Sequence, residues 1–122
     1  MTQSILIVDD SPTVRQQLRL CLETAGYRVA EAANGQLGLE QADKSPVNMV
    51  ISDVNMPVMN GIDFIRELRK RVAYQKTPVF VLTTESGATH AQMGKEAGAT
   101  VWIVKPFKPD MLIKGIKKVL GG

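Results

Sequence analysis

The sequence is sparing with the residues that mark several common chemistries: among 122 residues there is one cysteine, one histidine and one tryptophan. A lone cysteine, Cys21, excludes an internal disulfide and makes a reducing cytoplasm the expected compartment. With His90 as the only histidine, no His/Cys cluster is available to hold zinc. No apolar run is long enough to cross a bilayer, so no membrane insertion is expected. Ile5 to Val8 followed by Asp9 and Asp10 is too short and too acidic for a signal peptide. No glycine-rich phosphate loop precedes the first helical segment, which argues against a nucleotide-binding enzyme. Repeats and low-complexity segments are absent. The formal net charge of +3 is mild, and mild basicity alone does not mark a nucleic-acid binder. With 44% hydrophobic and 22% charged residues the composition is that of one ordinary globular domain, expected to span 1–122.

Five apolar, mostly β-branched runs alternate with amphipathic segments. Ile5 to Val8 reads as a buried strand. Ser11 suits an N-cap, Pro12 the first helical position, and Val14, Leu18, Cys21, Leu22 and Ala25 recur at helical spacing until Gly26. Cys21 on that stripe is expected in the core. Tyr27 to Ala32, with Arg28 and Glu31, has the mixed character of an edge strand. Asn34-Gly35 opens a second helix with Leu37, Leu39 and Ala42 inward, ending before Pro46. A third strand, Val47 to Ser52, delivers Asp53, and Val54 to Asn60 is a loop. Ile62, Ile65, Leu68 and Val72 mark a third helix, with Arg69-Lys70-Arg71 at its dipole-favoured end. Val79 to Leu82 is a fourth buried strand ending at Thr83. Ala88 to Ala97 is a fourth helix with a poor apolar stripe, stopped by Gly98. Val101 to Val104 is a fifth strand, more apolar than an edge position would suggest. Leu112, Ile113, Ile116, Val119 and Leu120 give the last helix. Strict alternation of this kind implies an α/β fold, a parallel sheet with helices on both faces.

In such sheets ligands bind beyond the carboxyl ends of the strands. What stands there is Asp9 and Asp10 after the first strand, Asp53 after the third, Thr83 after the fourth and Lys105 after the fifth. Three converging carboxylates repel one another, and a divalent cation resolves the conflict. Hard oxygen ligands suit Mg²⁺. A carboxylate beside Mg²⁺, a lysine and a hydroxyl is a phosphoryl acceptor in waiting, since metal and lysine neutralise charge on the transferring group.

Taken together, Ile5-Leu6-Ile7-Val8-Asp9-Asp10-Ser11, Ser52-Asp53-Val54-Asn55-Met56-Pro57, Asn60-Gly61, Val81-Leu82-Thr83 and Val104-Lys105-Pro106-Phe107 resemble the CheY-like receiver domains of two-component signalling. Each motif is weak alone; their order and spacing over nearly the whole chain are specific. The resemblance implies a doubly wound, five-stranded parallel sheet of order 2-1-3-4-5 with five helices, the flavodoxin-like order for which CheY is a standard example. It further implies Asp53 as phosphoacceptor, Asp10 and Asp53 as direct Mg²⁺ ligands, Asp9 acting through water, and Asn55 giving its backbone carbonyl. Thr83 takes the place of the switch hydroxyl, Lys105 that of the phosphoryl-contacting lysine, and the Lys105–Pro106 bond is expected to be cis. Asn55 and Glu85 match the pair that flanks hydrolytic water in chemotaxis-type receivers and so sets phosphoryl lifetime. The Asp9-Asp10-Ser11 start with Arg15 leans toward the same chemotaxis or motility branch. The implied donor is a histidine kinase. The implied readout is a shift of the surface of the fourth helix, fifth strand and fifth helix toward a partner protein, with a phosphatase as an admissible further partner and a monomer as the expected state. Such a protein is a self-catalysing phosphoacceptor rather than a turnover enzyme.

Two positions depart from the family pattern. Trp102 stands where Tyr or Phe usually serves as the aromatic switch, and its indole N–H requires a partner if buried. Thr84 follows Thr83 where Ala or Gly is common, and a β-branched residue there narrows access to Asp53. These departures motivate an alternative, a phosphate-independent receiver-like scaffold. A haloacid-dehalogenase-type phosphatase is disfavoured because Asn55, not a second aspartate, lies two residues after Asp53. Lys108, Lys114, Lys117 and Lys118 read as a solvated helix face that attracts an acidic partner segment rather than nucleic acid. His90 reads as solvent-facing, with nothing near it to make it a ligand.

Overall fold

The computed structural model describes residues 2–121. Five strands, β1 (Ser4–Val8), β2 (Arg28–Ala32), β3 (Met49–Ser52), β4 (Val79–Thr83) and β5 (Val101–Val104), alternate with α1 (Pro12–Thr24), α2 (Gly35–Lys44), α3 (Gly61–Arg69), α4 (Ala88–Ala97) and α5 (Pro109–Leu120). All strand pairs are parallel and the sheet order is β2-β1-β3-β4-β5. The expected fold class and strand order are therefore those observed.

Strand alternation sends successive side chains to opposite faces, and here both faces are apolar. Ile5, Ile7, Met49, Ile51, Phe80 and Leu82 face one way, onto Leu18 and Leu22 of α1 and Leu112 and Ile116 of α5. Leu6, Val8, Val50, Val79 and Val81 face the other way, onto Leu39, Ile62, Phe64, Ile65 and Leu68 of α2 and α3. The central strands are thus buried on both sides, as a parallel sheet requires. Helix starts follow local chemistry: Ser11, Asn34 and Asn60 each cap a helix by accepting from the backbone N–H three residues on. Gly26 and Gly98 sit at φ +98° and +113°, where a side chain would be strained, and end α1 and α4.

Three sequence expectations, for Val72, Leu37 and Cys21, need correction. Val72 does not extend α3. The helix ends at Arg69, and Val72 is 85% exposed in a short 3₁₀ turn, Val72–Tyr74. The reason is Tyr74, which takes the buried place with its hydroxyl donating to the Ala42 carbonyl at 2.7 Å. Arg69 stands in the last turn of α3, as expected, and its guanidinium turns inward to donate to the carbonyls of Tyr74, Thr77 and Gly98. Leu37 is exposed, because α2 meets the sheet with the close-packing Gly38, where a Cβ would stand 2.9 Å from Phe64 and 3.0 Å from Val8. Cys21 is only half-buried, at the margin between α1 and α5.

The two sheet edges differ. β2 carries Arg28 and Glu31 along its length, the charged character that protects an edge. β5, equally an edge, is apolar throughout yet leaves Val101 and Val104 exposed.

Candidate functional site

The C-terminal ends of β1, β3, β4 and β5 meet at one rim. Asp9, at the end of β1, is 1% exposed and Asp53, at the end of β3, 7%, whereas Asp10 is exposed. One carboxylate oxygen from each of the three lies within 4.8 Å of the others. Lys105 reaches over from the end of β5. Its Nζ donates to Asp53 Oδ2 at 2.8 Å and to Asp9 Oδ2 at 2.9 Å. The peptide that follows, Lys105–Pro106, is cis.

Each buried carboxylate is also held by backbone. Asp53 Oδ1 accepts from the N–H of Val54 at 2.6 Å, and Asp9 Oδ1 from that of Ser11 at 2.9 Å. Gly61, the first residue of α3, packs so tightly on the Asp53 carbonyl that a Cβ there would stand 1.9 Å from its oxygen. The Asn60-Gly61 pair thus caps α3 with one residue and seats the Asp53 loop with the other.

The charge balance is incomplete. Three carboxylates face one ammonium. Burial pushes the Asp9 carboxyl above its usual range, overcoming the lowering by the Ser11 N–H and Lys105, and the Asp53 charge adds to the rise. Burial opposes the charge on Lys105, yet its hydrogen bonds to Asp53 and Asp9 outweigh it and hold the ammonium above the ordinary lysine value. A cluster of hard oxygen donors with surplus negative charge fits a small divalent cation. Asp9, Asp10 and Asp53 are the residues able to hold it.

Thr83, at the end of β4, is fully buried, and its Oγ1 accepts from the N–H of Glu85 at 3.2 Å. Glu85 gathers the neighbouring groups. Its carbonyl accepts from Trp102 Nε1 at 3.0 Å and its Oε1 from Asn55 Nδ2 at 2.7 Å. Asn55 and Glu85 are thus joined by a direct hydrogen bond, and the indole N–H has its partner. Thr84 is exposed beside them. His90 is exposed, but it is not isolated as the sequence suggests: its Nδ1 lies 3.5 Å from Glu85 Oε2.

The sequence reading missed what lies under Trp102. A Cβ on Gly94 of α4 would stand 2.5 Å and 2.8 Å from the indole ring, so the glycine is a seat for it. A glycine in mid-helix, costing about 1 kcal/mol relative to alanine, was the available signal.

Such a sheet, with this acid-lysine-hydroxyl rim, defines a class of signalling proteins. The sequence profile of the response regulator receiver domain matches residues 5–117, and the chain belongs to that family. It is 36% identical over 119 residues to Chemotaxis protein CheY1 of Helicobacter pylori, covering 96% of each chain. It is 38% identical over 118 residues to Protein PilH of Pseudomonas aeruginosa, covering 97% of this chain and 98% of that one. Among solved structures it superimposes on the Vibrio cholerae chemotaxis protein CheY4 with a TM-score of 0.93 at 44% identity, covering 98% and 99% of the two chains. The receiver domain of the sensor histidine kinase PA1611 of Pseudomonas aeruginosa, described with a magnesium ion coordinated in its active-site cleft, superimposes with a TM-score of 0.92 at 26% identity over the full length of both. Among the described residues, no helix is long and apolar enough to cross a membrane.

Proposed function

We propose that this chain is a phosphorylation-controlled switch of chemotaxis or motility type, and that Asp53 is its phosphoacceptor. The observation that carries the proposal is the placement of the Asp53 carboxylate, backed by two main-chain N–H groups and bridged by Lys105 to Asp9. The chemotaxis or motility assignment rests on the names of the relatives CheY1 and PilH.

In the step proposed, an Asp53 carboxylate oxygen attacks the phosphorus of a kinase phosphohistidine. The phosphorus–nitrogen bond breaks, the imidazole leaves with its electron pair, and an acyl phosphate remains. Lys105 meets negative charge on the transferred group. Asp10 and Asp53 would hold Mg²⁺ directly, with the Asn55 backbone carbonyl, and Asp9 through water. When bound, the ion neutralises charge on the phosphoryl oxygens and offsets the repulsion among the carboxylates. Thr83 then donates its hydroxyl proton to the phosphoryl group, and because its Oγ1 also accepts from the Glu85 N–H, a shift of Thr83 is felt at Glu85. Trp102, tied to the same residue by its indole N–H, responds, and the surface of α4, β5 and α5 shifts its population. Asn55 and Glu85 border the approach of hydrolytic water and set the lifetime of the phosphoryl group. Lys108, Lys114, Lys117 and Lys118 beside that surface favour an acidic output partner. The chain works as a single cytoplasmic receiver unit, monomeric, with a histidine kinase as donor and a phosphatase as a further partner.

The test is intact mass after treatment with Mg²⁺ and acetyl phosphate. The wild type is expected to gain one phosphoryl group and Asp53→Asn none. Uptake by Asp53→Asn would remove Asp53 from the role. If the wild type stays unmodified with both acetyl phosphate and a kinase, and still binds its partner, the phosphate-independent scaffold motivated by Trp102 and Thr84 takes its place.

A further inference from the structure

The Asp10 carboxylate is the exposed member of the acidic cluster, and among the described residues no hydrogen bond holds its side chain. Its position is therefore set by its backbone. The peptide linking Asp9 to Asp10 is gripped at the Asp9 carbonyl by a residue outside the cluster: Arg15 Nη1 donates to it at 2.5 Å. Arg15 stands in the first turns of α1 with its side chain only 18% exposed. Its Nε pairs with Glu31 Oε1 at 3.1 Å. The other oxygen of Glu31, Oε2, accepts from Nε of Arg19, which is itself tied to Glu23 and to the Val29 carbonyl. The neighbour of Glu31 on β2, Ala32, receives the Asp9 N–H at 3.1 Å. The Asp9 main chain is thus fastened at its N–H by β2 and at its carbonyl by an arginine that β2 also holds.

We infer that Arg15 is a positioning residue for divalent-cation binding: it fixes the Asp9–Asp10 peptide and so presents the Asp10 carboxylate, while Glu31 holds the guanidinium in place and away from the acidic cluster. The inference rests on the reading of Asp9, Asp10 and Asp53 as a Mg²⁺ site. It uses the planar fork of arginine, which reaches a carbonyl and a carboxylate at once; a lysine ammonium at the same point keeps the charge and lacks the fork. Partners behind a metal ligand commonly govern affinity by fixing the ligand's orientation.

Charge and positioning predict opposite results. If Arg15 acts only through its positive charge, Arg15→Met tightens Mg²⁺ binding and Arg15→Lys leaves it unchanged. If it positions, both substitutions weaken binding. The experiment is calorimetric titration of wild type, Arg15→Lys, Arg15→Met and Glu31→Gln with MgCl₂ at fixed ionic strength, each first shown to be folded by urea unfolding in EDTA. We expect Mg²⁺ affinity about tenfold weaker in both Arg15 variants, and weaker by a smaller factor in Glu31→Gln, where the guanidinium is loosened and free to compete for Asp10. Wild-type affinity in Arg15→Lys, or tighter binding in Arg15→Met, overturns the inference while leaving the metal site standing. If Arg15→Met does not fold, Arg15→Lys and Glu31→Gln decide. No Mg²⁺ binding by the wild type overturns the reading of the site, and the inference with it.

Discussion

Asp9 shows what burying a carboxylate costs when its charge is not balanced. Burial raises its pKa in the folded protein above the value near 3.9 expected of an unfolded chain. The folded state therefore binds that proton more tightly than the unfolded state does. The stability linked to Asp9 is fully present below the unfolded value and declines as pH rises through the raised folded one. Without metal, Asp9 destabilises the fold once it is ionised. Asp9→Asn removes that term while leaving an oxygen to accept from the Ser11 N–H, at the loss of one ion pair to Lys105. We expect the metal-free variant at pH 7 to be no less stable than wild type, and its stability to fall less between pH 4 and 7. A loss of more than about 1 kcal/mol in urea unfolding would show that the Lys105 ion pair outweighs desolvation.

Among the elements, α4 and β5 were the hardest to read from the sequence and are the most informative in the structure. The sequence marked α4 by its Gly98 stop, and its weak apolar stripe has a cause: its buried face consists of Gly94, which meets an indole, and the small Ala97, which joins the core. The apolar run of β5 looked wrong for an edge; half of it is partly covered, Trp102 on Gly94 and the α3 side of the core and Ile103 on the α1 and α5 side. The central strands and the residues at their ends were legible because burial on both faces demands continuous apolar runs, and a parallel sheet puts every strand end on one rim. Val72, Leu37 and Arg69 were not legible, since each depends on a partner distant in sequence: Tyr74 against Ala42, Gly38 against Phe64, and carbonyls from two separate loops. Gly94→Ala follows from this geometry. Helix propensity alone would stabilise by about 1 kcal/mol. We expect no such gain, because the new methyl displaces the indole and breaks its hydrogen bond to the Glu85 carbonyl. The emission of Trp102, the sole tryptophan, should shift to longer wavelength; unchanged emission together with a stability gain would mean that α4 moves aside instead.

For the whole molecule, the acidic rim joins two strand ends that lie apart in the chain, so a cation bound there staples β1 to β3 in the folded state alone. Ligand binding of this kind raises stability by about 2.7 kcal/mol at a free concentration one hundred times Kd. Thermal unfolding of wild type should therefore rise with added Mg²⁺ and return with EDTA. Asp10→Asn, which removes an exposed carboxylate of the proposed site, should respond much less; an equal response would place the ion elsewhere. The unequal edges of the sheet have a separate consequence. A sheet can be lengthened only at a strand that accepts a neighbour, and here one end is studded with Arg28 and Glu31 while the other is bare. Two copies joined at β5 would expose only their charged ends, so addition terminates after a single step. The asymmetry of the two edges would thus hold any edge-to-edge contact to a pair.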